Sequence, residues 1–126
     1  MSKKEITLCG KQVTLAYCYA TEIVFKELSN QDITDFMIEA GPQIQAKKMP
    51  DAKKVVLLII AALMSHYQSI GEETPIEDKD IMYRAKFKEI GNALGVVIGL
   101  RAEFYHIPSG EPEDKPKDSD VEPKND

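Results

Sequence analysis

The residue types that most often carry out chemistry in proteins are few in this chain and lie far apart. Its two histidines, His66 and His106, are forty residues apart, and neither has a second ligand at the short spacing of zinc sites. Cys9 and Cys18 are nine residues apart, which matches neither a CxxC motif nor a disulfide framework. We therefore predict structural or surface positions for both histidines and small packing roles for both cysteines.

Two patterns that bind ions or phosphates in other proteins lack the rest of their motifs here. The acidic residues at 72–73, 78 and 80 lie in a polar stretch without the ligand spacing of a calcium loop. The segment GNALGVVIG neither follows a predicted strand nor carries the Lys-Ser or Lys-Thr pair of a phosphate-binding loop. The sequence contains no nucleophile–base pair and no ligand set, so we expect no enzyme activity, no catalytic residue, no metal and no cofactor.

Charge is distributed unevenly along the 126 residues, a length typical of one domain. The segment 108–126, PSGEPEDKPKDSDVEPKND, holds four of the seven prolines and seven acidic against three basic residues, which is −4 of the chain's −5. Such a composition buries too little apolar surface to become ordered, so we predict one folded domain over 1–107 and a disordered acidic tail. The nearly neutral remainder has no basic patch, which argues against nucleic-acid binding.

The longest apolar run, VVLLIIAALM at Val55–Met64, indicates the element that positions the others. A bilayer-spanning helix needs about 20 apolar residues, so this run is too short to be one. A helix that is apolar on all sides must be covered on all sides, and we predict a central core helix over 51–70. The first ten residues lack the apolar stretch of a secretory leader, so we expect a cytoplasmic protein.

Alternating apolar and polar residues predict a β-hairpin over 5–17. A two-residue turn at Gly10-Lys11 fixes the predicted register. The pairs it implies are Leu8–Val13, Ile6–Leu15 and Cys9–Gln12. Cys18 then lies too far from Cys9 for a disulfide. Because a lone hairpin is only marginally stable, it must pack on helices or pair with a strand of another chain.

Helical periodicity and capping signals predict four to five helices after the hairpin, which gives an α+β fold that is mainly α. The first two are predicted over 20–28 and 32–48, and the last helical region over 78–105. In that region a short helix precedes a long one that begins at about residue 84. Gly41-Pro42 is expected to end or bend the second helix, which leaves 43–48 as either a helical extension or a loop. The apolar stripe expected to be buried in the first helix is Ala20, Ile23, Val24 and Leu28.

Three glycines in the last helix recur every four residues and therefore lie on one face. Each costs about 1 kcal/mol relative to alanine in a helix interior, so a packing reason is expected. Three alternatives are open: a close crossing with the central helix, a self-association or partner groove, or a bend at Gly95. The residues expected to bind a partner through these two helices are Val55, Leu58, Ile59, Ala62, Gly91, Gly95 and Gly99.

The order of segments resembles that of the small tail assembly chaperones of long-tailed bacteriophages and prophages. The likeness rests on the hairpin with its Gly-Lys turn, on YATEIVFKELSNQDI at Tyr19–Ile33, and on LLIIAALMSHYQ and TPIEDKDI within Leu57–Ile81. It covers about two-thirds of the chain, and the glycine stripe lies outside it. The resemblance implies a non-enzymatic protein that binds the long helical tape-measure protein, keeps it soluble and assists assembly of the tail-tube protein around it.

A second class of function is the alternative to a chaperone. It is a small helical adaptor or regulatory protein that binds one protein partner or forms a homo-oligomer through the glycine face. Either function would use apolar helix faces that the chain's own packing leaves open. For both we expect protein partners, no nucleic acid and no membrane, and for the chaperone a location in the cytoplasm of a bacterial host.

Overall fold

A β-hairpin and five helices make up residues 2–106, the part of the chain that the structure, a computed structural model, describes. This order confirms the predicted α+β, mainly α fold. The predicted tail over 108–126 lies outside the described residues. The elements are β1 Ser2–Leu8, β2 Lys11–Tyr17, α1 Tyr19–Ser29, α2 Ile33–Gln45, α3 Ala52–Ser69, α4 Asp78–Arg84 and α5 Phe87–Phe104.

The turn of the hairpin lies one residue earlier than predicted, at Cys9 and Gly10. Both residues have a positive φ, 55° and 75°, which is the combination of a type I′ turn. The register therefore differs from the predicted one by two residues, and Cys9 lies in the turn instead of opposite Gln12. An even shift keeps every side chain on its face of the sheet, so the predicted apolar face is still buried. The pairs nearest the turn are Ile6–Val13, Thr7–Gln12 and Leu8–Lys11.

The apolar helix α3 occupies the centre of the fold, as the sequence predicts. The side chain of Asp51 caps its first turn by accepting a hydrogen bond from the Lys54 N–H at 3.2 Å. Gly71, with a φ of 73°, follows its end. Every residue from Val55 to Leu63 is buried, because β2, α1, α4 and α5 all pack against this helix.

The first helix turns a different face to the core than its apolar stripe predicted. Ile23 and Leu28 of that stripe are exposed, whereas Thr21 and Phe25 are buried. The Phe25 ring packs against Phe36 of α2 with 5.5 Å between the ring centroids. The aromatic contact with α2 therefore fixes the rotation of α1 about its axis.

Thr21 is buried because its hydroxyl is fully hydrogen-bonded. It accepts a hydrogen bond from the Cys18 N–H at 3.1 Å and donates to the Ser65 hydroxyl of α3 at 2.5 Å, with the Ala16 carbonyl at 3.3 Å as the alternative acceptor of the same proton. Ser65 in turn donates to the Ala61 carbonyl. A polar group that is paired in this way can be buried without a large desolvation cost, which apolar periodicity alone does not reveal.

The second helix continues past Gly41 and Pro42 to Gln45, so these residues do not end it, and the open segment 43–48 begins as a helical extension. Proline lacks an N–H and removes one helical hydrogen bond. The helix tolerates this loss because Pro42 is exposed and lies only one turn from the end of α2. Ile33, Phe36 and Ala40 form the buried face of this helix and all lie in the core.

The last helical region is interrupted at Ala85 and Lys86, whose extended backbone separates α4 from α5. The Lys86 N–H donates to the Glu89 carboxylate at 3.0 Å, which closes the first turn of α5. Helix α5 therefore begins at Phe87 rather than at residue 84. It runs unbroken through all three glycines, so the helix is not interrupted at Gly95.

Candidate functional site

The four residues of α3 that were predicted to bind a partner lie inside the protein. Val55, Leu58, Ile59 and Ala62 are all 0% exposed. The hairpin and the surrounding helices cover them, because the chain's own elements are sufficient to enclose this helix. These side chains form the core and offer no surface to a partner in this conformation, so their assignment as a binding surface is corrected.

The glycine face of α5 is uncovered. Gly91 and Gly95 are exposed, Gly99 is partly exposed, and a Cβ atom at any of the three would have no heavy atom of another element of residues 2–106 within 4 Å. The predicted close crossing of α3 at this face is therefore wrong. The core-facing side of α5 is a different one, formed by Ala93, Leu94, Val97 and Leu100. The structure thus places one predicted set of partner-binding residues in the core and the other on the surface.

An open apolar cavity of about 540 Å³ lies where the start of α3, α4 and the start of α5 meet. Buried Val56 and Ile81 line it, together with two methionines and two residues of α5. Phe87 is 73% exposed and Met82 is 46% exposed, so its apolar walls are open to solvent. The lining residues are Met49, Ala52, Lys53, Val56, Ile81, Met82, Ala85, Phe87 and Ile90.

A second cavity of about 290 Å³ continues from the first along α5. Both cavities are lined by Met49 and Phe87, so they adjoin each other, and we call the two together the apolar groove. The second part extends between the chain after α2 and the exposed side of α5, and it includes two of the glycines. Its lining residues are Ile44, Lys47, Lys48, Met49, Pro50, Phe87, Gly91, Leu94, Gly95 and Ile98.

Hydrogen bonds from the hairpin turn hold the start of α5 in place beside the groove. The Cys9 N–H donates to the Glu89 carboxylate at 3.2 Å, and the Cys9 thiol donates to the Asp80 carbonyl at 3.4 Å. The backbone N–H of Lys86, and then that of Cys9, hold the pKa of the Glu89 carboxyl below its usual value. This carboxylate therefore stays ionised at neutral pH and links the first turn of α5 to the hairpin.

The cysteines and histidines take structural or surface positions. Burial, followed by the charges of Glu89 and Asp80, raises the pKa of the Cys9 thiol, which disfavours the nucleophilic thiolate. Both cysteines are free thiols. The His66 ring lies edge-on to Tyr67 with 4.7 Å between the centroids, and His106 is exposed. Within residues 2–106, no three histidine, cysteine or acidic side chains come together as a metal site.

A hydrogen-bonded cluster around Glu22 links β2 and α1 to the residue that follows α5. Its carboxylate accepts hydrogen bonds from the Tyr17 hydroxyl at 2.9 Å and from the Tyr105 hydroxyl. Burial and the hydrogen bond to Glu22 raise the pKa of Tyr17 far above its usual value, so this phenol remains a donor. The Arg101 guanidinium lies over the Tyr105 ring, 5.1 Å from its centroid. The cluster ties α1 to α5 and contains no nucleophile paired with a base.

Comparisons with known proteins found no relative of this chain. No protein-family model, no curated protein and no solved structure matches the chain. Among the helices of residues 2–106, none combines the length and the apolar character needed to cross a membrane.

Sequence reasoning missed the groove because its walls come from residues that periodicity assigns to the core. Phe87 shares the helical spacing of Ile90 and Leu94, which is typical of a buried stripe on one face of a helix. The break at Ala85 and Lys86 makes Phe87 the first residue of α5, where no earlier turn covers it. The capping contact between Lys86 and Glu89 marks this break. The sequence pattern does not indicate it, because lysine is not a typical cap residue.

Proposed function

We propose that this chain is a non-enzymatic chaperone of the phage tail assembly kind, which binds a helix of the tape-measure protein in the apolar groove. One observation carries the proposal: the groove between α3, α4 and α5 is apolar and open, while the α3 residues from Val55 to Leu63 are buried. Exposed apolar patches on a folded domain are typical of protein-binding sites.

The shape and the chemistry of the groove suit a helical partner. It follows α5 from Phe87 to Ile98, a length of about 16 Å at 1.5 Å per residue, or three helical turns. An amphipathic helix presents apolar side chains at this spacing and packs them into such grooves. Met49 and Met82 are unbranched and flexible, so they adapt to differing side chains, as a long repetitive partner requires.

The resemblance to tail assembly chaperones supports the same proposal. The segment Tyr19–Ile33 forms α1 and its connection to α2, and Leu57–Ile81 runs from α3 into α4. In the proposed role the protein keeps the tape-measure protein soluble until the tail-tube protein assembles around it. The site of action is then the cytoplasm of a bacterial host.

Co-expression with the tape-measure protein from the same genome tests the function. We expect the wild-type chain to raise the soluble fraction of the tape-measure protein and to co-purify with it. Phe87→Ser should lose both effects, because it removes an exposed apolar wall of the groove. It should leave the free energy of unfolding within about 0.5 kcal/mol, as is usual for surface substitutions.

Ile38→Ser is the matched control, since Ile38 is 69% exposed on α2 and does not line the groove. This variant should behave as the wild type. The proposal fails if the tape-measure protein stays insoluble with the wild-type chain and forms no complex. Equal loss of binding in Phe87→Ser and Ile38→Ser would exclude the groove as the binding site.

A small adaptor that dimerises through α5 is the second candidate, favoured by the exposed glycines. A helix face without side chains allows two backbones to approach closely. Gly95→Leu should then abolish the dimer in light scattering while the melting temperature of the monomer does not fall. A wild-type chain that is monomeric at high concentration contradicts this candidate.

A further inference from the structure

Among the described residues, every charged side chain that lines the apolar groove is a lysine. Lys53 lines the first part, and Lys47 and Lys48 line the second, whereas no carboxylate of residues 2–106 lines either. The one ion pair within residues 2–106 joins Lys26 to Asp32 at 3.3 Å, outside the groove. In the described part of the chain, the groove lysines therefore have no carboxylate at ion-pair distance.

We infer that the groove selects helices whose apolar stripe is flanked by aspartate or glutamate. The inference rests on the proposed function and adds the chemistry by which one helix is preferred over another. Complementary charges at the rim of an interface speed association and exclude partners of like charge, while the apolar core supplies most of the affinity. A partner helix with acidic flanks places carboxylates next to the lysines, and a basic one places like charges there.

The chain's own acidic segment is a less suitable occupant of this groove. Its 19 residues carry a charge of −4, but their one large apolar side chain is Val121. Its negative charge complements the lysines, but one apolar side chain is too few to cover the apolar walls of the groove. An acidic amphipathic helix fits both the lysines and the apolar walls.

Three synthetic helical peptides of 18 residues test the charge preference. They share one leucine–alanine stripe and differ only at the flanking positions, which carry glutamate, glutamine or lysine. We expect the glutamate peptide to bind the full-length protein with a Kd about tenfold or more below that of the lysine peptide at low salt. The difference should shrink as the salt concentration rises, because rim charges are screened.

A pair of variants with the same net charge shows whether the lysines of the groove cause the preference. Lys48→Glu/Lys53→Glu should remove or reverse the order of the three peptides. Lys3→Glu/Lys4→Glu changes two exposed lysines of β1, outside the groove, and should leave the order intact. Loss of the preference in the β1 variant as well would show that net charge causes it, and would overturn the inference.

The remaining outcomes separate this inference from the proposed function. Equal affinity for all three peptides overturns the charge selection and leaves helix binding by the groove in place. Failure of all three to bind overturns both. Strong binding that appears only after removal of 108–126 overturns the inference in favour of the chain's own acidic segment. Dissociation of a homodimer by all three peptides alike overturns it in favour of a second copy.

Discussion

Helices α3 and α5 have the same length, 18 residues, yet the fold treats them differently. In α3 every residue from Val55 to Leu63 is buried, whereas α5 buries one narrow side and leaves its glycine face and its first turn open. The comparison teaches that the most apolar helix of a small domain forms its core. The surface available to a partner lies on the less apolar helix, because the other elements of the fold leave part of that helix uncovered.

The largest expected effect comes from the covered helix. Leu58→Ala removes a fully buried side chain at the centre of α3, and we expect a loss of about 2–5 kcal/mol in the free energy of unfolding. Urea denaturation measures this loss. Ile38→Ala, on an exposed position of α2, should change stability by less than about 0.5 kcal/mol. Similar small values for both variants would contradict the assignment of α3 as the core helix.

A smaller loss is expected where α1 meets α3. Thr21→Val keeps the shape of the side chain but removes the hydroxyl that pairs with Ser65 and with the Cys18 N–H. Leaving buried polar groups without a partner costs about 1–3 kcal/mol. The same substitution at exposed Thr7 serves as the control and should be close to neutral in thermal and urea unfolding. An unaffected Thr21→Val variant would mean that the hydroxyl pair does not orient α1.

At the uncovered helix, a substitution should stabilise the protein. Gly95→Ala gains up to about 1 kcal/mol, because alanine favours the helix and its Cβ meets no atom within 4 Å. The denaturation midpoint should rise. Gly71→Ala provides the contrast: the φ of 73° at Gly71 is strained for alanine, so the midpoint should fall. A destabilised Gly95→Ala variant would show that another element packs closely against this face and would contradict an open glycine face.

The smallest effect is a pH dependence at the junction of the hairpin and α5. The pKa of Glu89 is lowered in the folded protein by the N–H groups of Lys86 and Cys9. Its contribution to stability is therefore fully present above the unfolded pKa and is lost as the pH falls through the folded value. The difference in unfolding free energy between wild type and Glu89→Gln should vanish at low pH. A constant difference would contradict the carboxylate's role.

The elements with strong local signals were predictable from the sequence. The uninterrupted run Val55–Met64 specifies a helix that must be enclosed, and alternation specifies the two strands. The hairpin register was wrong by two residues, because the turn uses a positive φ at Cys9, a non-glycine residue. Alternation fixes the faces of a strand but not its pairing, so the buried face was correct while the pairs were not.

The candidate site was less predictable, because it depends on which surfaces remain after packing. Thr21 is buried through a hydrogen bond to Ser65, 44 residues away, which no local pattern encodes. Phe87 becomes exposed because α5 starts there, and the glycine face stays open because α3 packs against another side of α5. These properties depend on how the whole chain packs, whereas the sequence shows only the spacing of residues along each helix.

Photo-crosslinking tests most directly whether the apolar groove is the binding surface. Benzoylphenylalanine is placed at Phe87 in one variant and at Ile38 in another, and each is irradiated in the presence of the tape-measure protein. We predict a crosslinked product from position 87 and none from position 38, with the attachment sites on the apolar stripe of a tape-measure helix. Crosslinks from position 38 alone, or equally from both positions, would contradict a binding surface in the groove.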